Sequence, residues 1–183
     1  MSWIPAILVV VLVGWFVMAY NSLVRLRNRF KNAWYQIDVQ LKRRYDLIPN
    51  LVEVVKDYMS YEQETLTRVI EARGAAISAR GASAQGKAEN ALTESLKSLF
   101  AVVERYPELK ANQNVSSLQE ELAGTENKIS FARQFYNDQV MKLNTLIQSF
   151  PSVLVARPFG FREREFFDIE DPVRGPEIGR AHF

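Results

Sequence analysis

The first 24 residues contain no charged side chain, and that fact restricts the chain more than any other. Trp3 to Tyr20 reads WIPAILVVVLVGWFVMAY, an unbroken apolar run. Continued to Val24 as a helix, it would be about 36 Å long at roughly 1.5 Å per residue, enough to cross a hydrocarbon layer of about 30 Å. Pro5 falls in the opening turn, where a missing N–H costs little. Of the aromatic residues Trp3, Trp15 and Tyr20, two fall near the ends of the run, where interfacial rings are favoured. A cleaved signal peptide would want a basic residue before the run, a shorter apolar stretch and an A-x-A-like site. Nothing basic precedes Trp3, and Met18-Ala19-Tyr20-Asn21 makes a poor cleavage sequence. A retained transmembrane anchor over residues 1–24 is therefore expected, with Trp3, Ile4, Leu8, Val11, Trp15, Phe16 and Tyr20 as its membrane residues.

Charge returns abruptly. Arg25, Arg27, Arg29, Lys31, Lys42, Arg43 and Arg44 face a single Asp38 between residues 25 and 44, although the whole chain has a net charge of only +2. Basic residues just beyond a spanning helix are held on the cytoplasmic side. The amino end is thus expected outside and the bulk of the chain in the cytoplasm. The same cluster is a candidate for anionic headgroups, at roughly 1 kcal/mol per basic residue near the surface. Its plainer meaning is a topology signal on a solvated helix face.

A small net charge argues against a dedicated nucleic-acid binder. The chain has no cysteine and one histidine, His182. Disulfides, thiolate metal sites and Glu-x-x-His di-iron chemistry therefore lack their parts. No metal site, cofactor or small-molecule substrate is expected.

After the anchor the apolar residues keep a helical rhythm. Leu23, Leu26, Phe30, Trp34, Ile37 and Leu41 step by three and four, so the first helix should continue straight out of the membrane. Asp46 can cap a second helix with Pro49 in its opening turn. That arrangement predicts a reversal at Tyr45–Pro49, because a kinked rod would leave both apolar stripes wet. The second helix would carry Ile48, Leu51, Val55, Tyr58, Met59, Leu66, Val69, Ile70 and Ile77. The Gly/Ala/Ser-rich stretch Gly74–Ala88 reads as a frayed end plus a loop. It includes G-x-x-x-x-G-K at Gly81–Lys87, but Ala88 stands where a phosphate-binding loop needs Ser or Thr, and no strand precedes it. A third helix is predicted over Ala84–Tyr106, stopped by Pro107, then a loop over Pro107–Val115. Ser116 with Gln119, or Ser117 with Glu120, would open a fourth helix. Its stripe, Leu118 to Phe150, is about 48 Å long at roughly 1.5 Å per residue and ends at Pro151. Val153–Val155 and Phe159, Phe161, Phe166 and Phe167 form an aromatic tail expected to cross one end of the bundle. Residues 168–183 read as an irregular tail. Four one-sided helices can bury their stripes only against one another. The expected fold is all-α, a single amino-terminal transmembrane helix followed by a long antiparallel four-helix bundle over residues 25–167.

The residues also carry a resemblance. Tyr20-Asn21-Ser22-Leu23-Val24, Asn32-Ala33-Trp34 and the run Ile37 to Val52 (IDVQLKRRYDLIPNLV) are similar to the LemA family, as are Tyr106 to Asn112 (YPELKAN), Leu118 to Ile129, Ala132 to Asn137 (ARQFYN), Phe150-Pro151 and Phe159-Gly160-Phe161. The resemblance covers about residues 20 to 167. It implies a bacterial inner-membrane protein with one amino-terminal anchor and a cytoplasmic antiparallel bundle, in a family associated with envelope stress, membrane proteases and, in one branch, organelle maturation. It implies no catalytic residues.

The functional expectation is a membrane-tethered scaffold or adaptor acting through protein partners, with homo-oligomers among them. The alternative is an anionic-lipid-binding protein that senses or shapes the membrane through Arg25–Arg44. An enzyme is not expected. Glu104, Glu120 and Glu121 read as solvated carboxylates, and acid–base catalysis needs a placed pair with shifted pKa values.

Overall fold

The computed structural model describes residues 3–59 and 62–167. The predicted tail at 168–183, with His182, lies outside the described residues. Six helices follow in order: α1 (Trp3–Lys56), α2 (Gln63–Ser78), α3 (Ala82–Val103), α4 (Pro107–Lys110), α5 (Gln113–Gln148) and α6 (Val153–Ala156), with no strand among the described residues.

Helix α1 is one rod of 54 residues, about 80 Å at roughly 1.5 Å per residue. The reversal expected at Tyr45–Pro49 does not occur: the helix runs through Pro49 and the chain turns after Lys56. An interior proline removes the N–H that would bond the carbonyl four residues back, which here belongs to Tyr45. Arg73 of α2 replaces it, its Nε donating to the Tyr45 carbonyl oxygen at 2.8 Å. The rod continues because a guanidinium from the next helix satisfies the orphaned acceptor. Arg73→Ala should cost about 1–3 kcal/mol, the usual penalty for a buried acceptor left unpaired. Pro49→Ala restores the N–H, so the loss should shrink in the double variant; equal losses in denaturant unfolding of both backgrounds would refute the substitution.

Helices α2 and α3 meet across Ala79–Gly81. Gly81 opens α3 at φ 85°, a conformation that a Cβ disfavours. Most of the Gly74–Ala88 stretch is thus helix rather than loop. Pro107 begins the short α4 instead of merely ending a helix. Asn112, not Ser116 or Ser117, caps α5: its Oδ1 accepts from the amides of Asn114 at 2.9 Å and Val115 at 3.4 Å. The 107–115 segment therefore contains one turn of helix between two caps.

Three apolar clusters run down the molecule. Leu23 gathers with Leu143 and Ile147, Ile37 with Ile129 and Tyr136, and Ile48 with Leu122 and Val115. Numbers on α5 fall as those on α1 rise. The last cluster also takes Val69 from α2 and Leu92 and Leu99 from α3.

The aromatic tail divides in two. Helix α6 packs beside the upper part of α1, burying Val155 and Ala156 next to Leu23. Residues 162–167 then run lengthwise along α5 rather than across an end. Asn144 grips Arg164 at both backbone groups, donating to its carbonyl at 2.9 Å and accepting from its amide at 2.8 Å. Asn137 grips Phe167 in the same way at 3.1 and 2.8 Å. The registers match: seven residues of helix rise about 10.5 Å, and three of extended chain span about 10 Å.

Candidate functional site

The inward stripe of α1 carries a charge. Ile37, Leu41, Arg44, Ile48, Leu51 and Val55 step by four and three, and all are buried. Glu89 takes the corresponding place on α3 and Arg133 on α5. Because the three helices meet at this level, their polar interruptions gather. Arg44 is 2% exposed and Glu89 0%. Arg44 Nη1 lies 3.2 Å from Glu89 Oε2 and 2.7 Å from Glu126 Oε2, and Nη2 donates to Thr93 Oγ1 at 2.9 Å. The Tyr45 hydroxyl donates to Glu89 Oε1. Gln85 Nε2 reaches Glu89 Oε1 at 3.1 Å and also donates to the Ala76 carbonyl at 3.0 Å. On α5, Arg133 donates to Asn90 Oδ1 at 3.1 Å and lies 4.8 Å from the Phe167 ring centroid. Arg44 thus faces two glutamates, the buried Glu89 and the half-buried Glu126, so its charge is compensated as burial requires.

Burial, and after it the hydrogen bond to Glu89 and its charge, push the Tyr45 phenol above the ordinary 10. Burial also lowers the Arg133 guanidinium, against the pull of Glu126 and Glu89. Tyr136, whose hydroxyl donates to the Glu165 carbonyl at 3.0 Å, is pushed up to about 12 by burial. The folded state holds both phenolic protons more tightly than the unfolded chain. Their contribution to stability is therefore full below about pH 10 and declines as pH rises through it. Alkaline unfolding should release these phenolates together with the loss of helix. Phenolate absorbance at Tyr45 and Tyr136 rising while circular dichroism stays constant would contradict this.

This cluster can fix the register of three helices; it offers little to a substrate, because both Glu89 oxygens are occupied. Among the described residues, no group of three or more His, Asp or Glu could hold a metal ion. Glu121 pairs with Arg43 at 3.3 Å and Glu104 with Lys110 at 2.6 Å, both at the surface. Gly81–Lys87 is the start of α3.

The anchor residues separate by height. Trp3, Ile4, Leu8 and Val11 are bare, from 60% to 79% exposed. Trp15 and Tyr20 are half-buried against the α6 region, and Phe16 is exposed. One stretch of α1 is long and apolar enough to cross a membrane, and almost none of it is covered by the rest of the chain. A core helix of the same composition would be enclosed.

The seven basic residues do not form one patch. Arg25, Arg29 and Lys31 are exposed near the apolar stretch, and the Arg27 guanidinium sits 5.3 Å from the Phe161 ring centroid. Lys42 lies about 26 Å farther along the rod than Arg25, at roughly 1.5 Å per residue. Arg43 is paired and Arg44 is buried. No single headgroup layer perpendicular to α1 reaches both groups.

The sequence reasoning also missed an apolar face. Tyr35 and Val39 of α1 and Phe131 and Phe135 of α5 are 65%, 63%, 73% and 44% exposed. They line a shallow groove of about 570 Å³ in which Lys128 is the one charged residue.

The profile described as the LemA family matches residues 33–179, extending past the point where the resemblance read from the residues stopped. Magnetosome protein MamQ 2 of Paramagnetospirillum magneticum is 22% identical over 190 residues, covering 90% of this chain and 70% of the relative. Magnetosome protein MamQ of Magnetospirillum gryphiswaldense is 22% identical over 191 residues, covering 88% and 70%.

Proposed function

The chain belongs to the LemA family, and on that premise we propose that it is a membrane-anchored helical scaffold that acts by protein–protein contact and has no catalytic activity. Residues 1–24 cross a bacterial inner membrane with the amino terminus outside, and residues 25–167 form an antiparallel four-helix bundle in the cytoplasm. The bare apolar end of α1 supports the crossing, and Arg25, Arg27, Arg29 and Lys31 beside it support the orientation.

The observation that carries the scaffold reading is the face of Tyr35, Val39, Phe131 and Phe135. Four large apolar side chains in one patch mark a contact surface, and its occupant in this reading is a second copy. Two copies anchored in one membrane share orientation and height, so a two-fold axis along the membrane normal brings equal residues together. A nearly uncharged groove meets its own image without electrostatic conflict. The chain has no native cysteine, which permits a direct test. Phe131→Cys in membranes should give an oxidant-dependent band at twice the monomer mass, and Glu94→Cys on exposed α3 should not. Monomer alone at both positions would refute self-association through this face.

The lipid alternative keeps one supporting observation, the exposed Arg25, Arg29 and Lys31 next to the apolar stretch. Lys42, Arg43 and Arg44 contribute nothing to it.

A further inference from the structure

Phe150 is 80% exposed, Leu154 61% and Phe159 51%. All three belong to the corner where α5 turns into α6 and onward to Phe161. Val155 and Ala156 turn the opposite side of α6 onto the core, leaving Leu154 outward. In a water-facing corner, this much bare apolar surface would be a liability.

The corner's height is fixed by aromatic contacts. The Phe159 ring centroid lies 5.8 Å from that of Phe16 and 5.1 Å from that of Tyr20, both edge-on. The Phe161 ring also meets Tyr20 edge-on, at 6.0 Å. Phe16 and Tyr20 belong to the apolar run, and the first charged residue of the rod is Arg25. At roughly 1.5 Å per residue, Phe16 lies about 6 Å deeper than Tyr20 and about 13 Å deeper than Arg25. If Tyr20 marks the inner interface, as an aromatic belt residue does, Phe159 cannot reach Phe16 without entering the leaflet. That depth falls in the roughly 5–10 Å occupied by the apolar face of an interfacial helix. Arg157 and Arg162 flank Phe159 and are exposed, so their long stems can carry the guanidinium groups back to the headgroups.

From this geometry we propose that the α5–α6 corner is a second membrane contact, inserting Phe150, Leu154 and Phe159 into the leaflet from which α1 emerges. The occupant is the acyl–headgroup boundary, continuous with the lipid already facing Phe16. A spanning helix alone leaves the rest of the molecule free to swivel about it. A second point of attachment fixes the direction in which each outward face looks, the Tyr35–Phe131 groove included. The inference rests on α1 being inserted, which the test reports separately.

Single cysteines at Val10, Phe150, Leu154 and Ser98 of the full chain are spin-labelled in nanodiscs of phosphatidylethanolamine and phosphatidylglycerol. Phe150 and Leu154 are exposed, so their replacement leaves the packing intact, and circular dichroism confirms the fold of each variant. Collisions with oxygen and with a water-soluble nickel chelate give a depth parameter for each label. The expected result is a membrane value at Val10, Phe150 and Leu154 and an aqueous one at Ser98. Aqueous values at Phe150 and Leu154 beside a membrane value at Val10 overturn the second contact and leave the anchor standing. Labels at Phe150 and Leu154 shielded from both relaxants also overturn it, since protein would then cover the corner. An aqueous value at Val10 overturns both the anchor and the inference.

Discussion

Glu89→Ala should unfold the helical domain at a temperature on the order of 10 °C lower than the unaltered chain, a loss of about 3–5 kcal/mol. The side chain is fully buried and holds Arg44, Tyr45 and Gln85 at once. Its removal strands the Arg44 charge in a low-dielectric interior, with Glu126 as the remaining counter-ion. The penalty of a buried guanidinium left with only the half-buried Glu126, rather than the lost attraction, sets the size of the effect. Arg44→Ala should cost a similar amount for the converse reason. The combined Arg44→Met, Tyr45→Phe and Glu89→Leu chain should regain most of the stability, because an apolar replacement of a buried ion pair is close to neutral. Thermal unfolding of the full chain in detergent, followed by circular dichroism, reads all three. A Glu89→Ala chain with an unchanged midpoint would show that the network does not hold the helices together.

The second large effect is expected where the 162–167 segment is tied to α5. Two asparagines, seven residues apart, supply four hydrogen bonds to Arg164 and Phe167. Each contributes about 1 kcal/mol net where water is kept away, and less where the half-buried Asn144 meets the exposed Arg164. Replacing both with alanine should therefore remove about 2–3 kcal/mol of local stability. Opening of the segment would rise on the order of 100-fold, since 1.4 kcal/mol is a factor of ten. Trypsin should then cut after Arg162 and Arg164 correspondingly faster in the folded protein, and Phe167, now 1% exposed, would leave its place against Trp34, Tyr136 and Arg133. Asn137→Asp, which keeps the acceptor and loses the donor, should fall between. Unchanged cleavage of the double alanine variant would mean that the aromatic contacts alone hold the segment.

How far these features can be read from the chain depends on how local their causes are. The apolar run at Trp3–Tyr20 and the stripes of α3 and α5 follow from composition and period alone, and each appears as a helix. Pro49 misled because its effect on a helix is judged locally, whereas the group that compensates it, Arg73, is 24 residues away in sequence. A signal was nonetheless present. Leu41, Arg44 and Ile48 keep step across the supposed turn, so the stripe never loses register. Arg44 reads locally as a solvated charge because charges usually are, and only the partner on α3 makes its burial tolerable. On α5 the core takes Arg133 beside its half-buried neighbour Ala132, and an apolar period cannot signal a buried arginine. The asparagine ties have no local pattern at all, because they depend on an extended segment returning along the helix. The exposed face at Tyr35 and Phe131 joins residues almost a hundred positions apart, and it exists only once α1 and α5 lie side by side.

The central claim is that α1 is one continuous rod fixed in a membrane, with everything after it on the cytoplasmic side. The most direct measurement is labelling of single cysteines by a membrane-impermeant maleimide in intact spheroplasts. Ser2→Cys should react at once, and Ser98→Cys only after the membrane is opened. Immediate labelling at Ser98, or labelling of both positions in protein that alkaline carbonate washes from the membrane, would contradict the account.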